Sequence, residues 1–327
     1  MHAVAAANNY LLRSTGIIIF LLLWEIAPRL AWVDPYFIPP LSVVLGEIGT
    51  LIRSGELPIH CLVSCWRGVS GLCLALLIAL PLGVILGRWL TGLADALDPL
   101  LRILSQVNPF ALLPLFLLFF GVGETAKVAV VTWVTLWPIL FYTITATRTV
   151  ELAQINSAAA MGVSRFQLLC KVILPASLPT IFIGIRIGAS LTFFILVAAE
   201  MLGSGSGLGW LVHNSAMNYL IPRIYAGATF IVILGFLQNR FLLYLEQCLF
   251  SWRESPASFL LAGGRAGYSW RPGRGAALVG LAALLLILTL GGMEVRQLNE
   301  AARAGYGEVK NHSKHFGSSA ESVDKGL

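Results

Sequence analysis

The chain has 327 residues, of which 57% are hydrophobic and only 12% charged, and it carries a formal net charge of +6 at neutral pH. A soluble domain is ordinarily about 25% charged, so this composition excludes an ordinary soluble protein and points to an integral membrane protein. The positive balance does not require nucleic acid, because cytoplasmic loops of membrane proteins carry excess Lys and Arg, and no basic run with interleaved aromatics occurs.

Residues 1–14 form a short N-terminal segment, and a first apolar span is expected over 15–31. A secretory signal has a similar outline, but no clean small-x-small cleavage pattern follows. Glu25 and Arg29 are spaced as an i,i+4 helical pair, which favours an uncleaved span. Residues 43–59 are amphipathic and too polar to span, and are expected to lie along the outer surface, so that 15–59 comprises the first span and an outer connecting segment. A second span is expected over 68–86, then a charged loop over 88–102. The third, 103–120, contains Asn108, Pro109 and Pro114, which predict a kinked helix packed on others. A fourth is expected over 125–145.

A polar interruption at 151–176 separates the fourth and fifth spans. Good helix formers run over 154–161, and Gly162 sits where a left-handed residue ends a helix at little cost. Ser164 and Gln167 form a capping-box pattern, predicting a second short helix to about residue 173. Pro175 is expected to stop it, with Ser177 and Pro179 as cap and first turn of the next span. Ile155, Ala159 and Gly162 share one helical face, and Phe166 and Leu169 continue an apolar surface. Such an elbow suits docking into a groove of another protein, or it is a plain membrane-surface loop.

The fifth span, 178–202, holds Arg186 and Glu200 as its charges, on one helical stripe with Ser190, Phe193 and Val197. That stripe either lines a solute path, or Arg186 snorkels to headgroups while Glu200 caps a neighbouring helix. The glycine-rich stretch 203–209 lacks the form of a phosphate cradle, and His213 reads as a surface residue of an outer loop. A sixth span is expected over 224–248, a basic loop over 251–274, and an extra apolar span over 275–292. In the last, Ala276 and Gly280 make a small-x-x-x-small packing surface, and the polar tail 293–327 is expected to be disordered. Basic residues gather on one side if there are seven spans, placing the N-terminus and the 151–176 elbow in the cytoplasm. On this count Arg29, Arg53, Arg67, Lys127 and Arg223 belong to the outer loops.

No Walker A phosphate loop occurs, and no zincin-type or paired-aspartate motif. His60, Cys61 and Cys65 lie close together but lack a fourth ligand; the five cysteines read as apolar filler. Neither a cofactor nor a metal is expected, and an enzyme is disfavoured. What remains is transport, by an ATP-driven importer subunit or by an ATP-independent carrier or channel. The absence of an internal repeat weakens the carrier.

The spacing Asn156-Ser157-Ala158, Gly162, Ser164, Val172 and Leu174-Pro175 resembles the "EAA" loop of binding-protein-dependent ABC importer permeases. Trp24-Glu25, Ile38-Pro39-Pro40, the stretch 101–123 and Gly207-Leu208-Gly209 after Ala199-Glu200-Met201 resemble the nitrate/sulfonate/taurine branch. The likeness runs from about Trp24 to Arg253. The family's Glu is Asn156 here and its first Ala is Ser157, which removes one charge contact. The resemblance implies an all-α, polytopic transmembrane bundle of the type I ABC importer permease kind, with six core spans over 15–59 and 60–250 plus one extra span. It implies coupling to cytoplasmic ABC ATPase subunits through Asn156, Ser157, Ala158, Ala159, Gly162, Ser164, Arg165, Leu174 and Pro175. It further implies a periplasmic or lipid-anchored substrate-binding protein, a second permease copy, and a small solute such as nitrate, bicarbonate, a sulfonate or a pyrimidine precursor. Arg186, Ser190 and Glu200 are the candidate path residues.

Overall fold

The computed structural model describes residues 2–121, 123–250 and 286–297, with side chains from residue 15. Among the described residues up to 250, eleven α-helices and one π-helical turn follow in the order α1 His2–Arg29, α2 Leu41–Arg53, α3 Glu56–Arg88, α4 Thr91–Ser105, α5 Pro109–Phe120, α6 Glu124–Arg148, α7 Leu152–Ala160, α8 Arg165–Leu168, the π turn Leu169–Ile173, α9 Leu174–Gly203, α10 Leu208–Met217 and α11 Ile221–Leu249. No strand occurs among the described residues. α3, α6, α11 and the continuous run Arg165–Gly203 are each long and apolar enough to cross a membrane, and the bent pair α4–α5 makes a fifth candidate. The expected first span falls on α1, held near its C-terminal end by Trp24 Nε1 donating to the Pro39 carbonyl (3.2 Å) and by Glu25, which accepts from the Ser42 N–H (2.9 Å) and pairs within the helix with Arg29 (2.6 Å).

The centre of the bundle is α3, α6 and α9, brought close by small residues. A Cβ on Gly71 or Gly83 of α3 would run into Val131 or Thr143 of α6, and one on Gly184 or Gly188 of α9 would meet Tyr142 or Thr135. In lipid, burial of apolar surface does little to bring helices together, so this close backbone approach and hydrogen bonds across helices do the work. Thr135 and Thr192 share one such bond at 2.8 Å between α6 and α9. Behind this seam Ala75, Ala79, Ile139 and Leu140 are buried in one cluster, and Val130, Val131, Ile195 and Leu196 in another.

Several boundaries differ from those read in the sequence. The segment 43–59 is two elements: α2 ends at Arg53, Gly55 turns at φ +78°, and α3 starts at Glu56, ahead of the expected 68. Pro58 fits in the first turn of α3, where its missing N–H costs nothing. The supposed loop 88–102 is mostly helix α4. The third span is broken outright: α4 and α5 meet at 89°, because Asn108 is extended before Pro109 and its side chain caps Phe110 N–H at 3.0 Å.

Pro175 does not stop its helix. The chain passes through the π turn, where Leu174 N–H reaches back to the Leu169 carbonyl, and this wider turn accommodates a proline at the start of α9. Ser177 is therefore inside α9, buried, donating to Leu174 O (3.0 Å), rather than a cap. His213 lies on helix α10, not in a loop. Residues 251–274 and 298–327, and most of the expected extra span, lie outside the described residues. The described stretch 286–297 is helical, so helix runs past 292 into the segment read as disordered tail, and Gly291 there lies close against Trp66 of α3.

Candidate functional site

Two places concentrate the residues singled out by sequence, at opposite ends of α6. The first is the elbow after Arg148. α7 ends as expected at a left-handed Gly162 (φ +73°), and Ser164 and Gln167 make both bonds of the capping box, each at 3.3 Å. A side chain at Gly162 would meet nothing, so the glycine serves the turn and not a close approach. Asn156, Ser157, Ala159, Gly162, Ser164, Arg165 and Pro175 are exposed, Leu174 is half-buried and Ala158 is buried.

The apolar face divides differently from the expectation. Ile155 and Leu169 turn inward and, with Val150 and Ile173, anchor the elbow to the bundle through Val84 of α3. The apolar side chains presented outward are Leu152 (73% exposed), Met161 (82%) and Phe166 (71%). Three large apolar groups around an ordered turn form a surface that water alone solvates poorly.

The second place, at the Glu124 end of α6, is a buried ion cluster. Arg67, read as an outer-loop charge, is fully enclosed in α3 and uses all five N–H groups of its guanidinium. It makes a two-pronged pair with Glu124 of α6 (2.5 and 2.8 Å), a bond to Glu200 of α9 (2.7 Å), and bonds to the carbonyl and hydroxyl of Ser206 (2.7 and 3.0 Å). Lys127, also read as a loop residue, is buried and donates to Glu124 (3.1 Å) and Ser204 (3.0 Å). Two cations and two carboxylates thus neutralise one another in a dry place, where either sign alone would be costly.

The same cluster holds the start of α10. The backbone N–H groups of Gly207, Leu208 and Gly209 donate in turn to His60 Nδ1 (3.1 Å), Ser64 Oγ (2.9 Å) and Glu200 Oε2 (2.9 Å). These are amides that a helix start leaves without intrahelical partners, and each finds one from α3 or α9. Glu200 therefore caps a neighbouring helix, with no exposed surface, and does not lie on an open path with Arg186. Arg186, at the other end of that stripe, pairs with Glu246 of α11 at 2.9 Å. Ser190 is exposed and its hydroxyl bonds back to the Arg186 carbonyl (3.0 Å). The stripe thus joins three different surroundings, and its two charges are committed to other helices.

Sequence reasoning missed Arg67, Glu124, Lys127 and Ser64 as a unit. The one signal available was the i,i+3 spacing of Glu124 and Lys127 beside a glycine turn.

The family described as binding-protein-dependent transport system inner membrane component matches residues 79–251. The chain is 31% identical over 239 residues to the taurine transport system permease protein TauC of Escherichia coli (strain K12), covering 72% of this chain and 86% of that protein. It is also 31% identical over 238 residues to the putative aliphatic sulfonates transport permease protein SsuC of Bacillus subtilis (strain 168), again covering 72% and 86%. Among solved structures, an inward-facing conformation of the MetNI methionine ABC transporter superposes with a TM-score of 0.53 over 60% of this chain and 97% of that chain, at 17% identity, a likeness of fold.

Proposed function

The chain belongs to the binding-protein-dependent transport system inner membrane component family, the permease subunits of ABC importers, and on that premise we propose that its solute is a small organic sulfonate of the taurine type. The elbow carries the reading. Its Gly162 turn, its capping box and the outward Leu152, Met161 and Phe166 are what a cleft of an ATPase subunit would grip. Elbow and N-terminus then lie in the cytoplasm, as the basic loops favour, and the Arg67 cluster lies toward the outer face. A binding protein delivers solute there, and the ATPase subunits drive alternating access. A second copy of the chain completes the path; α5 leaves Leu118 and Phe119 79% and 74% exposed for that copy or for lipid. The described stretch 286–297 has Gly291 against Trp66 of α3, at the outer end that a seventh span would reach.

The test uses the permease reconstituted in vesicles with its cognate ATPase and binding protein. Taurine uptake is expected to require ATP, and scrambling 156–175 is expected to abolish both uptake and co-purification of the ATPase. Uptake that persists without ATP, or with the scrambled segment, overturns the assignment.

A further inference from the structure

Beside the break between α4 and α5 lies a half-open cleft of about 260 Å3 against α6 and α9, lined among others by Ser105, Pro109, Trp133, Trp137, Phe141 and Leu191. We propose that this cleft is a solute station within the membrane for small organic sulfonates, an inference that rests on the reading above. Its volume is several times the ~30 Å3 that one water occupies in the liquid, so a small solute fits.

Its lining offers two kinds of contact. Trp133, Trp137 and Phe141 form an aromatic row along α6, with successive centroids 5.1 and 6.3 Å apart, on which alkyl carbons or an ammonium group can lie. The row already receives a cation: the Arg102 guanidinium sits over Phe141 at 5.9 Å from the ring centre. Arg102 is paired with Asp98 (2.6 Å) and most of its side chain is open, so it stands at the rim, one turn before Ser105, able to meet an anion. The indole N–H of Trp137 is buried and finds no acceptor among the described residues, although its ring lines the cleft. A buried donor without an acceptor is uncommon and unfavourable, and a turn of the ring about χ2 presents it to a sulfonate oxygen.

Interrupted helices inside membranes recur where transporters bind solutes, since a break exposes backbone groups only where they line a cavity. The solute therefore rests with its carbons on the aromatic row and its sulfonate between Arg102 and the Trp137 N–H. Among the described residues no charged side chain lines the cleft wall itself, which keeps the hold weak enough for release.

The experiment reconstitutes the complete transporter with its unaltered binding protein and compares uptake of taurine and hexanesulfonate. Trp133→Ala enlarges the cleft, and the hexanesulfonate-to-taurine uptake ratio is expected to rise about tenfold, the effect of a few methylene contacts. Trp137→Phe keeps an aromatic ring, though a smaller one, and removes the N–H, and uptake of both solutes is expected to fall about tenfold with the ATPase still co-purifying. Arg102→Gln is expected to lower both rates, and Arg102→Lys to retain more than Gln does. If the parent takes up neither sulfonate, the functional reading fails. If the parent does, but the ratio and rates are unmoved in these variants, the cleft holds lipid or a side chain of the second copy, and the station is overturned. Loss of ATPase co-purification in every variant makes the residues structural and overturns it equally.

Discussion

Arg67 and Glu200 lie 133 positions apart in the chain and meet at 2.7 Å with neither side chain exposed. Their bond joins α3 to α9, and through Glu124 and Ser206 it also fastens α6 and the turn before α10. One end of each of three core helices and the start of one short helix are thereby held as one piece.

Removing Arg67 leaves two carboxylates with Lys127 alone to balance them, and Glu200 without its charged partner. Arg67→Ala is expected to destabilise the purified protein by about 3–5 kcal/mol, lowering Tm by about 10 °C in thermal unfolding. Arg67→Lys keeps the charge but offers three donors where five are used, and its Tm should fall in between. An unchanged Tm for Arg67→Ala would show that the cluster adds nothing to stability.

Gly162 holds φ +73° with open space around it, so the cost of a substitution is one of backbone conformation. Gly162→Val is expected to cost ~1–2 kcal/mol locally. The protein should still insert, while ATPase co-purification and solute uptake drop. Asn156→Glu, which restores the family's charge on an exposed position, should leave co-purification equal or stronger.

Arg186 and Glu246 join α9 to α11 at 2.9 Å. Reversing one charge, Arg186→Glu, should lower Tm, and adding Glu246→Arg should recover much of the loss. The double-mutant cycle is expected to give a coupling of about 1 kcal/mol. A cycle with no coupling would show that the pair is unimportant.

Topology is checked with single cysteines at Ser14 and Ser318 in a background lacking the five native cysteines. Labelling from opposite sides of the membrane is the outcome expected of seven spans. Labelling of both from the cytoplasmic side would mean that 275–292 does not cross.

Local chemistry in the elbow was legible because its signals act within one or two turns. Gly162 after a run of helix formers and Ser164 three before Gln167 define their own geometry, and the observed turn and capping box follow them. Hydropathy likewise located the helices of α6, α9 and α11, since a bilayer demands long apolar runs whatever their neighbours. Pro175 shows where a local rule is overridden: proline forbids a regular helix turn, but a π turn just before it relieves the conflict and lets helix continue.

What the sequence by itself determined is therefore the membrane class, the approximate spans and the shape of the elbow. Only the tertiary structure decided where the charges go. Arg67, Lys127 and Glu200 look like loop or path residues when each is read alone, because a lone charge is tolerated in lipid only near water. Helix packing brings them together with Glu124, and opposite charges sharing one site with satisfied hydrogen bonds can be buried. That neutralisation is a property of four segments at once, and no window along the chain contains it.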